Sequence, residues 1–183
     1  PSLPVMGSEI ISEHFVQTSG GTCNSVIAMH RLGLKVGWAA DFGNDQYSKF
    51  ILERIGKEGI DQSLFVHHDF PLRKITVSLS YPQDRSFVAF YDPDPKIPAG
   101  LKLLPKYTPR MVYVPGIYLG FGALSYLNMM KNKGIKVCMD GNSSDMHTSK
   151  NRRILKLLSR LDLFFANKKE LLQLTGIDDL QTA

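Results

Sequence analysis

The chain has 183 residues, of which 43% are hydrophobic, 10% aromatic and 21% charged, so it can bury one substantial core and is not an intrinsically disordered polymer. Lys and Arg number 22 against 17 Asp and Glu, and the net charge of +5 is too diffuse for a nucleic-acid stripe. No apolar run reaches membrane-spanning length and the start lacks a signal-peptide pattern, while two cysteines, Cys23 and Cys138, are too few for a disulfide scaffold. These features predict a soluble protein of the reducing cytoplasm with neither a nucleic-acid nor a membrane partner.

Glu9 to Gln17 alternates partly in period two and is rich in β-branched and aromatic residues, which predicts a strand leading into Ser19-Gly20-Gly21. From Cys23 to Leu32 the apolar spacing is helical, with Thr22 placed to cap the start and Gly33 to end it. Lys35 to Phe42 reads as a buried strand, followed by the loop Gly43-Asn44-Asp45 and a helix over Tyr47 to Lys57 that Gly59 terminates. Three short β-rich runs come next, Ser63 to His67, Lys74 to Tyr81 and Arg85 to Tyr91, the last two joined by Pro82-Gln83-Asp84, and they predict a small antiparallel insert. After a Pro-rich stretch over Asp92 to Pro109 the alternation resumes. Strands are expected at Met111–Val114, Lys136–Met139 and Asp162–Ala166, and helices at Leu119–Asn132, Lys150–Ser159 and Lys168–Leu174. The architecture expected is α/β: a three-layer α/β/α arrangement around a mostly parallel sheet, with a small antiparallel β insert. In such sheets ligands bind at the carboxyl ends of the strands.

Gly20-Gly21 precedes a helix, where free backbone N–H groups meet an anion or polar oxygens, and Asn24 projects from the first turn with an amide that both donates and accepts. The competing account is a tight turn followed by a surface amide. His67-His68 has no further metal ligand at diagnostic spacing and is assigned no role. The basic residues Lys150, Arg152, Arg153, Lys156 and Arg160 lie on more than one helical face and read as solubilising. No Gly-x-Gly-x-x-Gly follows a strand, which disfavours a dinucleotide-binding oxidoreductase. Asn167 and Glu170 have the spacing of a capping box.

Taken in order, Gly20-Gly21, Asn24, Ala28, Arg31-Leu32-Gly33, Gly43-Asn44-Asp45 and Gly59-Ile60-Asp61 resemble the amino-terminal signature of the ribokinase-like, or phosphofructokinase-B (PfkB), carbohydrate kinases. Asn167-Lys168-Lys169-Glu170 with Leu174-Thr175-Gly176 resembles that family's Asn-x-x-Glu motif. One departure is Ser48, where the family commonly has Gly. The resemblance implies ATP-dependent phosphorylation of a hydroxyl on a sugar or nucleoside, with Mg²⁺. It implies that Gly20, Gly21, Asn24, Gly116 and Arg85 bind the substrate and that Asn167 and Glu170 organise metal and phosphate through water. It further implies a β lid contributed by about residues 9–19 and 63–91, with Thr76 and Arg85 on adjoining strands, and a homodimer formed through that lid.

Asp140-Gly141-Asn142-Ser143-Ser144 resembles a segment that in several members leads to an Arg holding a sugar acid or phosphate, and here Ser144 stands in its place. The family's Gly-Ala-Gly-Asp-type segment, with its catalytic base and nucleotide loops, has no counterpart before Ala183. The expectation is therefore a partial ribokinase-like domain over residues 1–183, a fragment that binds substrate but is inactive alone. The alternative is a non-catalytic α/β sugar-binding or interaction module.

Overall fold

A computed structural model describes residues 6–82, 84–120, 122–141 and 150–179. Two compact units divide the chain between Lys96 and Ile97. Both have the expected α/β character, with parallel strands and intervening helices, and the first adds one separate antiparallel pair.

The first unit holds α1 (Gly20–Arg31), β1 (Ala40–Phe42), α2 (Gln46–Lys57), β2 (Phe65–His67), β3 (Lys74–Ser80) and β4 (Arg85–Tyr91). Helix α1 buries Cys23, Val26 and Ile27, a face of i, i+3, i+4 spacing, into a cluster with Phe42, Ile55 and Ile60. Trp38 meets the rings of Phe42 and Phe65 edge-on at 5.8 and 5.5 Å, the arrangement favoured by aromatic quadrupoles. Ile55 is wholly buried there, so its truncation to Ala removes about 2–5 kcal/mol of stability.

Strand β1 pairs in parallel with β2, Ala40 opposite Phe65 and Phe42 opposite His67. The run Ser63 to His67 therefore belongs to a parallel pair and not to the antiparallel insert. Alternation in sequence reveals a strand but not its partner, and α2 provides the crossover that lets β1 and β2 run the same way. The insert is the β3–β4 hairpin alone, in register from Lys74 opposite Tyr91 to Ser80 opposite Arg85.

Two further expectations fail in this unit. Residues 9–17 form no strand: the segment is irregular, with Ile11, Phe15 and Val16 more than four-fifths exposed. Its β-prone side chains have no neighbouring strand to pair with among the described residues, and propensity without a ladder does not make a strand. For the same reason the lid contribution expected from residues 9–19 is absent as a strand. The strand expected over Lys35 to Phe42 shortens to Ala40–Phe42, the stretch that β2 accompanies.

The second unit contains α3 (Ala99–Leu103), a 3-10 turn (Leu104–Lys106), β5 (Met111–Val114), α4 (Ala123–Asn132), β6 (Lys136–Asp140), α5 (Arg152–Leu158), β7 (Leu163–Phe165) and α6 (Lys168–Thr175). Its sheet is parallel throughout in the order β5-β6-β7. Central β6 buries Val137, Cys138 and Met139 in succession, as a strand covered on both faces does. Val112, Leu127, Met130, Ile135 and Leu157 complete the core around Val137 and Met139. Helix α3 was not foreseen in the Pro-rich stretch; it begins directly after Pro98, where a preset φ suits a helix start. Helix α4 begins at Ala123 and not at Leu119, after Gly122 takes a left-handed φ of 80°. The Asp-x-Asn readings at Asn142 and Ser144, and Gln83 of the hairpin turn, lie outside the described residues.

Candidate functional site

Within the first unit, the glycine pair belongs to the helix itself. Ser19, not Thr22, occupies the N-cap position, and Gly20 and Gly21 open α1. Gly20 has a φ of 79°, a conformation disfavoured for residues with a Cβ, and open space surrounds both glycines where a Cβ would project. The Ser19 side chain accepts no cap hydrogen bond from the N–H groups of this first turn, which leaves them open to a partner other than the N-cap. Ser19 is buried and its hydroxyl donates to Asn24 Oδ1 at 3.3 Å, while Asn24 itself is exposed. Gly20, Gly21 and Asn24 thus form one continuous polar edge. Cys23, one residue before Asn24, is buried, and burial pushes its thiol up, away from the reactive thiolate.

The Gly43-Asn44-Asp45 loop serves a different purpose. Asp45 caps α2: its Oδ1 accepts from the N–H of Tyr47 and of Ser48, both at 3.0 Å. Its Oδ2 accepts from the Ser48 hydroxyl and from the Leu72 N–H, again at 3.0 Å. Burial alone would raise this carboxyl, but the bonds from Ser48, Leu72 and Tyr47 outweigh it and hold the group below its usual value. Ser48, the departure from the family pattern, accepts the Gly43 N–H at 3.0 Å, so its hydroxyl braces the loop from within. A Cβ on Gly43 would strike the Leu72 backbone nitrogen and come within 2.7 Å of Phe70 O, which is why no side chain fits there. Sequence reasoning assigned Ser48 no such part; the Asp-x-x-Ser spacing at a helix start was the available signal.

Arg85 lies at the turn end of the hairpin, its guanidinium 5.4 Å from the centroid of Phe87. It shares a face with Thr76, whose hydroxyl is 3.1 Å from that of Tyr91. The opposite face carries Ile75, Val77, Leu79, Val88 and Phe90, of which Val77, Val88 and Phe90 are more than half exposed. At the hairpin base Arg73 forks onto Asp92, Nε to Oδ2 at 2.8 Å and Nη2 to Oδ1 at 3.0 Å. Neither residue was singled out from sequence, since ion pairing across 19 positions leaves no local pattern.

In the second unit, the carboxyl ends of three parallel strands lie side by side. Pro115-Gly116 follows β5, Gly141 follows β6, and Ala166-Asn167 follows β7. The Tyr113 hydroxyl points at Asp140 Oδ2 from 3.4 Å, and Gly141 N donates to Phe165 O at 2.6 Å. Asn167 and Glu170 form the reciprocal capping box that their spacing allowed: Glu170 N donates to Asn167 Oδ1, and Asn167 N to Glu170 Oε2, both at 2.9 Å. Glu170 Oε2 also lies 3.0 Å from where a Cβ on Gly141 would be, which gathers Gly141, Asn167 and Glu170 at one corner.

The box engages one oxygen of each side chain. Among the described residues no three His, Cys, Asp or Glu side chains converge to hold a metal directly. Glu170 keeps its Oε1 outside the box, a hard oxygen of the kind that an ion retaining most of its own water, such as Mg²⁺, takes.

A family model described as pfkB family carbohydrate kinase matches residues 6–183. The chain belongs to the pfkB family of carbohydrate kinases. One relative of this family member, the 2-dehydro-3-deoxygluconokinase of Bacillus subtilis (strain 168), is 42% identical over 45 residues, which is 25% of the chain and 14% of the relative. Solved pfkB folds extend the likeness in three dimensions. The Vibrio cholerae O395 fructokinase bound to fructose, ADP and calcium ion superposes with a TM-score of 0.65 at 18% identity, over 93% of this chain and 59% of that one. The Thermotoga maritima 2-dehydro-3-deoxygluconokinase gives 0.63 at 18% identity, over 88% and 55%. At such identities the structures show a shared fold, and the chain spans little more than half the length of either protein.

Proposed function

We propose that this pfkB chain is the sugar-binding portion of an ATP-dependent kinase that phosphorylates a hydroxyl of a sugar or nucleoside. The observation that carries the proposal is the family match across residues 6–183, together with an uncapped polar edge at Gly20, Gly21 and Asn24. Fructose and ADP bound to the Vibrio cholerae relative support this substrate and cofactor class.

In this reading the first-turn N–H groups of α1 and the Asn24 amide bind substrate hydroxyls, Ser19 orients that amide, and Arg85 contributes a further contact. Asn167 and Glu170 would hold Mg²⁺ through its water, with the capping box fixing both side chains in place. ATP is the donor of the γ-phosphoryl group, whose charge a bound Mg²⁺ would neutralise. The acceptor oxygen forms the new bond to phosphorus as the bond to ADP breaks, and the hydroxyl proton passes to a base. No residue of this chain is assigned as that base, and the isolated chain is expected to bind sugar without consuming ATP.

The exposed apolar face of the hairpin fits a second copy of this chain, so a homodimer is part of the proposal. Among the described residues no helix is long and apolar enough to cross a membrane. The free, buried thiols of Cys23 and Cys138 suit the cytoplasm.

Thermal-shift titrations with fructose, 2-dehydro-3-deoxygluconate and adenosine test binding, since a ligand of the native state raises its melting temperature. An ATP-consumption assay on the whole protein with the same three compounds tests catalysis. A shift with any of them, accompanied by turnover in the whole protein, is expected. Absence of both for every sugar and nucleoside tried would sink the proposal.

A further inference from the structure

Among the described residues no helix or other strand packs closely on the faces of the β3–β4 hairpin. Val77, Phe87, Val88, Phe90 and Tyr91 are each more than half exposed, so its direction is set where it leaves the rest of the first unit. Seven cross-strand pairs and the Arg73–Asp92 fork join its two strands, which makes it a ribbon that moves as one piece.

Its root, residues 68–72, lies against the loop that follows β1. Asn44 N donates to Phe70 O at 3.2 Å, and Asn44 Nδ2 bonds Asp69 O. Two carboxylates flank these contacts. On one side Asp45 Oδ2 accepts the Leu72 N–H; on the other, Asp41 Oδ1 meets His68 Nε2 at 2.8 Å, with both side chains more than four-fifths buried. The His68 ring also stacks obliquely on Phe70, centroids 4.8 Å apart.

We propose that Asp45–Leu72 and Asp41–His68 are the two halves of a latch that fixes the angle of the hairpin, and that Asp41–His68 is the half that opens. The two halves differ in what their release entails. Asp45 is bound at the same time into the cap of α2 and to Ser48, so freeing it unravels a helix start. His68 is tied to Asp41 through a side-chain ring that can rotate away while its backbone N–H remains on Phe42 O at 2.8 Å. Opening this half lets the ribbon swing about Leu72 without unfolding either β1 or β2. His68 and Asp41 are thus positioning residues, and the device goes beyond sugar binding, standing or falling on the hairpin's mechanics alone.

Spin labels on Ser80→Cys at the hairpin tip and Glu53→Cys on the exposed side of α2 report the angle as a distance distribution by pulsed electron resonance. Cys23 and Cys138 are buried and escape labelling. The labelled chain is expected to give one narrow distribution, and His68→Ala to broaden it about twofold. His68→Gln keeps a side-chain donor for Asp41 and is expected to restore the narrow distribution, a rescue that mere loss of packing does not predict. A distribution as narrow in His68→Ala as in the parent overturns the latch. So does one that stays broad in both variants.

Discussion

Helices α1 and α6 both begin at residues matched to family motifs, yet they treat their first turns in opposite ways. At α6 the Asn167–Glu170 box satisfies the helix end reciprocally. At α1 the N-cap Ser19 makes no cap bond and turns its hydroxyl to Asn24 instead. Helix α2 is the extreme of the first kind, with Asp45 binding its own helix, Ser48 and the distant Leu72. A helix start that satisfies itself is explained by stability. One that leaves its donors outward gives up that stability and leaves them to water or, in the function proposed above, to a ligand.

Among substitutions at the helix starts, the largest effect is expected next to the α2 cap. In Gly43→Ala the new methyl meets backbone at Leu72 and Phe70, which cannot swing aside as a side chain can, and about 1–3 kcal/mol should be lost in urea denaturation. Asp45→Ala should follow, at about 2 kcal/mol, because a cap is lost and the Leu72 N–H loses its acceptor. The same carboxylate sets a pH dependence. Since folding holds Asp45 below its ordinary value of 3.8, its contribution is complete above that pH and fades as pH falls through the lower folded value. Melting temperatures measured from pH 7 down to pH 2 should therefore fall less steeply in Asp45→Asn than in the parent.

The smallest stability effects separate the two contrasting ends. Asn167→Ala should cost about 1 kcal/mol, as removal of an N-cap does. Asn24→Ala should change stability by less than about 0.5 kcal/mol, the side chain being exposed, while sugar affinity measured by calorimetry drops about tenfold. If Asn24→Ala destabilises as much as Asn167→Ala and leaves sugar affinity intact, the contrast between the two helix starts is structural only.

Much of the second unit was legible because its signals are local. Met111–Val114 stands as expected, and Asn167 and Glu170 satisfy each other across three residues. The first unit was legible only in part. Its two long helices and their terminating glycines, Gly33 and Gly59, follow from spacing and from the positive φ each glycine takes. The partner of β2, the lack of a strand at 9–17, and the braces from Asp45 to Leu72 and from Arg73 to Asp92 do not. Each of these depends on what lies opposite in space, and a window of sequence contains only one side of such a contact. For the same reason Ser48 looked like a defect in a glycine pattern, whereas its hydroxyl bridges Gly43 and Asp45.

Asp45 also implies an order of assembly. Its bonds to Tyr47 and Ser48 close over two and three residues, whereas the bond to Leu72 closes over 27. Short closures lose less chain entropy and form sooner, so α2 can have its start in place while residues 68–72 are still searching. When that stretch arrives, it meets an acceptor already held in position by the helix it will sit beside. One carboxylate thereby links an early event in folding to a late one.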